Sequence, residues 1–259
     1  MSNRLSSTLK AATLGALALM FYAKISSGTL GYYINARFYW LPYVALILLM
    51  TFALTLAYGS ARSNKQASLA SAETLLAEGA VTLEATHTHQ HSWWVLALIG
   101  VPVLLGLLLP AKALSASALG SRGLGTAAPA RVAGAPLTAA YGKEGKTILD
   151  WLRDFSRTGG DLRSFEGKPV DVVGFVYRDK RTTGDAFWVA RYTFSCCVAD
   201  ASGIGMVAKW PQGGELVEGS WVRVRGAITI SALESDSLPV IIASSVAMVE
   251  QPDNPYLLP

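Results

Sequence analysis

Two adjacent cysteines, Cys196 and Cys197, are the only sulfhydryls in the 259-residue chain, and His87, His89 and His91 are its only imidazoles. Thiolate sulfur is a soft metal ligand and a nucleophile, and imidazole suits zinc, copper and nickel. These five residues are therefore the candidate metal ligands, and a transition metal ion is the candidate cofactor. In an extended segment the alternation His87-Thr88-His89-Gln90-His91 puts the three rings on one side, and Glu84 could add an oxygen ligand. The competing reading is a polar loop whose histidines bind nothing, since a short His-rich tract is only a compositional signal.

The cysteines lie in FSCCVADASG, residues 194–203. Read as part of a strand running through AFWVARYTFSCCVAD, they point to opposite faces. A bridge between neighbours is strained, so a disulfide between them is not expected. One cysteine then faces the interior as a small apolar residue, and the other faces outward as a soft ligand or reactive thiol. Further ligands would have to come from Asp200, Met206, the histidine segment or a partner. Packing and metal or redox work both stay open. Ser195 has no histidine nearby in sequence, and no phosphate loop or paired carboxylates accompany it. The expectation is a protein that is not an enzyme.

These residues must be positioned by two very different halves. The chain is 51% hydrophobic and 15% charged, against roughly a quarter charged in soluble domains. The apolar excess sits in the first 110 residues. Leu41–Tyr58 and Trp93–Leu109 carry no charge, and Ala11–Ala23 lies between Lys10 and Lys24 and can be extended through ISSGTLGYYI. About 17 to 20 apolar residues cross a bilayer. No small-x-small cleavage site follows the first segment, which favours a retained helix. Residues 1–110 are thus expected to form three transmembrane helices, at about 9–31, 41–58 and 93–110, with a histidine-containing loop at 59–92. Small residues such as Gly15, Ala18, Gly100 and Gly106 suit close packing against partner helices. The positive-inside rule is silent: Arg4, Lys10, Arg62 and Lys65 on one side face Lys24, Arg37, Lys112 and Arg122 on the other. A short N-terminus starting in the cytoplasm would place the C-terminal half outside the cell membrane. The net charge of +4 is scattered, without the basic stripe that nucleic-acid binding needs.

Residues 111–146, rich in Ala, Gly, Ser and Pro, read as a tether. In TILDWLRDFSR, Thr147 and Asp150 have capping-box spacing, and Ile148, Trp151, Leu152 and Phe155 share one helical face. Beyond it the period changes to two, and five strands follow. Two of them echo each other, EGKPVDVVGFV at 166–176 and EGSWVRVRGAI at 218–228. In each, one glycine marks the entering turn and a second marks a hard bend, as corners of small barrels require. Residues 147–259 are therefore expected to form an OB-like antiparallel β-barrel preceded by one helix. The fold class is a membrane-anchored α + β protein. Phe175, Tyr177, Phe187, Trp188 and Tyr192, near Arg178, Lys180, Arg181 and Arg191, could stack bases, but at strand spacing half of them must be core.

GTLGYYINARF, VPVLLGLLLPAKALSASALGSRGL and FWVARYTFSCCVADASGIGMVAKW resemble the YcgQ-like family. These are bacterial membrane proteins ending in a domain of unknown function, described as one subunit of a two-component membrane permease complex. The resemblance covers most of the chain, and its motif residues here are Arg37, Arg191, Cys196, Cys197 and Asp200. The chain departs from the family's prolines at Ala36, Ala111 and Ala113. The resemblance implies a multi-pass permease as partner, within the lipid bilayer of the bacterial inner membrane. A non-enzymatic accessory subunit is the leading expectation. A stand-alone metal-binding or delivery protein and a structural docking subunit of a larger membrane assembly are the alternatives.

Overall fold

A computed structural model describes residues 3–74, 93–126, 145–159, 161–233 and 236–258. The chain forms two compact units, Met1–Leu30 with Arg37–Ala111, and Gly31–Ala36 with Lys112–Pro259.

The first unit is helical: α1 spans Asn3–Ser26, α2 Trp40–Thr74 and α3 Trp93–Leu108. Helix α1 packs on both others. Small residues make that approach possible: Ala18 is buried, and a Cβ on Gly106 would meet the Met20 sulfur at 2.6 Å. Among the described residues one helical stretch, Ala36–Gly59, is long and apolar enough to cross a membrane. At 1.5 Å per residue its 24 residues reach about 36 Å, beyond the roughly 30 Å hydrocarbon core. Its large apolar side chains, Ile47, Leu48 and Phe52 among them, point away from the unit. The apolar part of α1, Ala11–Ser26, and α3 are 16 residues each, about 24 Å. Helix α2 also runs on to Thr74, well past the end of the apolar segment.

The second unit is a five-stranded barrel. Its strands are β2 (Pro169–Tyr177), β3 (Ala186–Thr193), β4 (Ser202–Lys209), β5 (Trp221–Leu233) and β6 (Asp236–Met248). The order is β4-β6-β5-β2-β3, and β3 pairs back to β4 to close it. One closing pair, β4 with β6, is parallel; the expected barrel is therefore not antiparallel throughout. This connectivity fits an OB-like fold. The two echoed segments are neighbours: Gly174 of β2 lies opposite Val222 of β5, and Val170 opposite Gly226. Their entering glycines, Gly167 and Gly219, have φ of 75° and 82°, a left-handed conformation that side chains resist. The bend glycines serve contact rather than conformation. A Cβ on Gly174 would lie 2.7 Å from the Ala190 carbonyl, and one on Gly226 would run into the Ile242 carbonyl beside a β-bulge.

Val170, Val172, Phe187, Val189, Ile204 and Met206 fill the barrel. Helix α5 (Ile148–Arg157) closes one end with Ile148, Leu149, Trp151, Leu152 and Phe155. Its start is the capping box expected from Thr147 and Asp150: the Asp150 N–H donates to Thr147 Oγ1, and the Thr147 N–H donates to the Asp150 carboxylate.

Apolar residues are buried on the outside of the barrel as well as within it. Every residue of β3 is buried, so its outward face is covered too. The cover comes from residues 112–126, inside the segment expected as a tether. These residues form a 3-10 turn (Ala116–Ala118), a short helix α4 (Leu119–Arg122) and strand β1 (Leu124–Gly125), which pairs with β4. Gly203 and Gly205 of β4 leave the room: a Cβ on Gly203 would collide with Leu119, and one on Gly205 would lie 3.3 Å from Leu124. Strand β7 (Tyr256–Leu257) covers the other flank, pairing with β3. Two buried tyrosines tie the cover down, Tyr192 donating to the Ser115 carbonyl and Tyr256 accepting from the Leu114 N–H. Burial holds the Tyr192 hydroxyl proton firmly, pushing its pKa up to about 12. The rest of the expected tether, 127–144, lies outside the described residues.

Candidate functional site

Strand β3 ends at Thr193, and Phe194 anchors the chain beyond it, fully buried with its ring 5.0 Å from that of Tyr256. Ser195, Cys196 and Cys197 then form a turn that enters a 3-10 helix at Val198–Asp200. The cysteines are thus not strand residues on opposite faces. Cys196 is exposed and Cys197 half-buried, and their sulfurs lie 3.7 Å apart. Neither packs in the barrel. The reason is the Asp200 carboxylate. It accepts the N–H groups of Ser195 at 3.1 Å, Cys196 at 3.3 Å and Cys197 at 3.1 Å, curling the backbone around itself where a strand would have continued.

Two more devices hold the turn. Gly31–Ala36, which precedes α2 in sequence, belongs to the barrel unit. It pairs across the turn: Asn35 N–H donates to the Cys196 carbonyl at 3.0 Å, and Val198 N–H donates to the Tyr33 carbonyl at 2.8 Å. Buried Asn35 adds a side-chain bond from Nδ2 to the Ser195 carbonyl at 3.1 Å. From α4, the Arg122 guanidinium donates to the carbonyls of Val198 at 3.2 Å and Ala201 at 3.0 Å. Both sulfurs and an Asp200 oxygen lie within 4.8 Å of one another, making a compact S, S, O donor group. The neighbouring Cys197 sulfur, with the Asp200 carboxylate nearby, pushes the Cys196 thiol pKa up. Cys196 is therefore not tuned as a low-pKa nucleophile.

Of the expected site residues, the structure brings together Cys196, Cys197 and Asp200. Arg191 serves the fold: it is buried on β3, donates to the carbonyls of Asn254 and Pro255, and lies over the Trp221 ring. Arg37, the first residue of the helical unit after Ala36, is exposed in a 3-10 turn at Ala36–Phe38. Met206, weighed as a ligand, is a core residue. His87, His89, His91 and Glu84 lie outside the described residues. Asn35 and Arg122 are the additions that sequence reasoning missed; Asn35 is 160 positions from Ser195, and no local pattern links them. Of the five aromatics considered for base stacking, Phe175, Phe187, Trp188 and Tyr192 are buried.

Comparison with known families accounts for both halves. Residues 9–125 match the DUF1980 N-terminal domain and residues 149–259 match the DUF1980 C-terminal domain. The chain belongs to the DUF1980 family. Among its relatives is the UPF0703 protein YcgQ of Bacillus subtilis, 22% identical over 110 residues, 42% of this chain and 39% of that protein. Another, from Streptococcus mutans, bears the name "Putative two-component membrane permease complex subunit" and is 28% identical over 95 residues, 36% of this chain and 34% of that protein. The matched stretch is thus well under half of either relative. Among solved structures, a small single-stranded DNA-binding protein from Streptomyces coelicolor aligns over 32% of this chain and 93% of its own, at 15% identity and a TM-score of 0.23. That likeness is too slight to bear on function. The DUF1980 N-terminal match ends at residue 125, where β1 ends. It thus takes in both Asn35 and Arg122, whereas the cysteines lie in the C-terminal match.

Proposed function

We propose that this DUF1980 protein is a non-enzymatic accessory subunit of a bacterial membrane permease complex, partnered by a multi-pass permease. The observation that carries the reading is the family relationship to a protein named as a permease complex subunit. An outward-facing apolar helical stretch long enough to cross a membrane, within the same chain as a barrel, supports it. In this reading α1, α2 and α3 all lie in the bilayer of the inner membrane and dock on the permease. The barrel stands on the outer side, at the permease mouth. The cover over β3 and β4 supports a role without nucleic acid, because the corresponding face of OB folds is the one that takes up oligonucleotides. Purification of the tagged protein from native membranes in mild detergent, with mass spectrometry of what accompanies it, tests the reading. A multi-pass permease in near-stoichiometric yield is expected. Recovery of the protein alone would overturn it and leave the stand-alone metal-handling reading, which the clustered Cys196, Cys197 and Asp200 favour.

A further inference from the structure

Three separate devices hold the turn that carries the only thiols of the chain: the Asp200 carboxylate, the Gly31–Ala36 strap and the Arg122 clamp. Such fixing of an exposed turn is more than folding of the barrel requires, because neither sulfur packs in its core. Its effect is to aim two sulfurs to one side at a set spacing. A tetrahedral ion with metal–sulfur bonds of about 2.3 Å holds its sulfurs about 3.8 Å apart; the pair stands at 3.7 Å. A disulfide would need the sulfurs at about 2.05 Å. The carboxylate within 4.8 Å adds negative charge where a cation would sit. At least three of its lone pairs are engaged by backbone N–H groups, so Asp200 acts as a positioning and charge-balancing residue.

We propose that Cys196 and Cys197, backed by Asp200, form an open two-thiolate site for a thiophilic d10 metal cation of the zinc or copper(I) class. Soft thiolates select such ions over magnesium or calcium. Two protein sulfurs leave two of four tetrahedral positions vacant, which is the arrangement of an exchange site and not of a closed structural one. Binding forms two metal–sulfur bonds and releases the two S–H protons to solvent, with no change of oxidation state. The proposal deepens the accessory-subunit reading by naming its cargo class, and rests on that reading only for where the ion goes.

The test uses the full chain in mild detergent, reduced with a phosphine and titrated with cadmium as a spectroscopic stand-in for zinc. A thiolate-to-cadmium charge-transfer band saturating at one ion per chain is expected. Cys196→Ser and Cys197→Ser should each abolish it, with circular dichroism confirming the fold. Asp200→Asn should weaken binding by about 10- to 100-fold, the usual effect of losing a residue that orients ligands. Replacing His87, His89 and His91 together by Ala should leave the band in place. A band that survives either cysteine substitution, or that the histidine variant loses, overturns the proposal, as does the absence of a band. Binding is read on the chain alone and the permease by co-purification, so either result can fail without the other.

Discussion

Replacing Asp200 by Ala removes the acceptor of three backbone N–H groups at once, at 3.1, 3.3 and 3.1 Å. A hydrogen bond to a charged group contributes about 1.5–3 kcal/mol when its loss leaves a buried donor unsatisfied. Here the turn is partly exposed, water can replace part of each bond, and the longest of the three is the weakest. A loss of about 2 kcal/mol follows, or roughly 30-fold in the opening equilibrium at about 1.4 kcal/mol per decade. Hydrogen–deuterium exchange on the full chain in detergent reads this directly. Amides 195–198 should exchange roughly 30-fold faster, and the Asn35 amide should loosen with them because its acceptor is the Cys196 carbonyl. Strand β5, which pairs with neither β3 nor β4, should keep its protection. Asp200→Asn retains one acceptor oxygen and should fall between wild type and Ala. Unchanged exchange at 195–198 in the Ala variant would refute the claim that Asp200 shapes the turn.

Gly226→Ala should destabilise the barrel by about 3 kcal/mol, since its Cβ meets backbone and not a side chain that can move. Gly120→Ala, with open space around it, should be near neutral in the same denaturation experiment. The Asp179 carboxyl pKa is lowered: burial opposes the charged form, but bonds from Arg181 and from Trp188 Nε1 outweigh it. Its contribution to stability is therefore complete above the unfolded carboxylate pKa of about 4 and is lost as pH falls below it. The thermal midpoint of Asp179→Asn should accordingly show a shallower acid decline than wild type. A membrane-impermeant maleimide should label Cys196 on intact cells if the barrel faces outward; labelling only after permeabilisation would place it in the cytoplasm.

Much of this protein is legible in the residues because it is local. The capping box at Thr147 and Asp150, the period-two strands and the paired glycines of the two echoed segments each express a preference that a few neighbouring residues settle among themselves. The uncharged stretch within α2 is equally plain, because bilayer crossing is a matter of length and composition. Tertiary structure decided the rest, mostly through partners far apart in sequence. An Ala/Gly-rich stretch looks like a tether until Gly203 and Gly205 of β4 supply the groove that Leu119 and Leu124 occupy. FSCCVAD looks like more strand, since nothing in it announces that the Asp200 carboxylate outcompetes the sheet for three N–H groups. The side-by-side setting of the thiols follows from that competition and from Asn35 and Arg122, contributed by segments 160 and 76 positions away. Backbone groups must be satisfied somewhere, and where two partners compete only the assembled fold determines which of them is within reach.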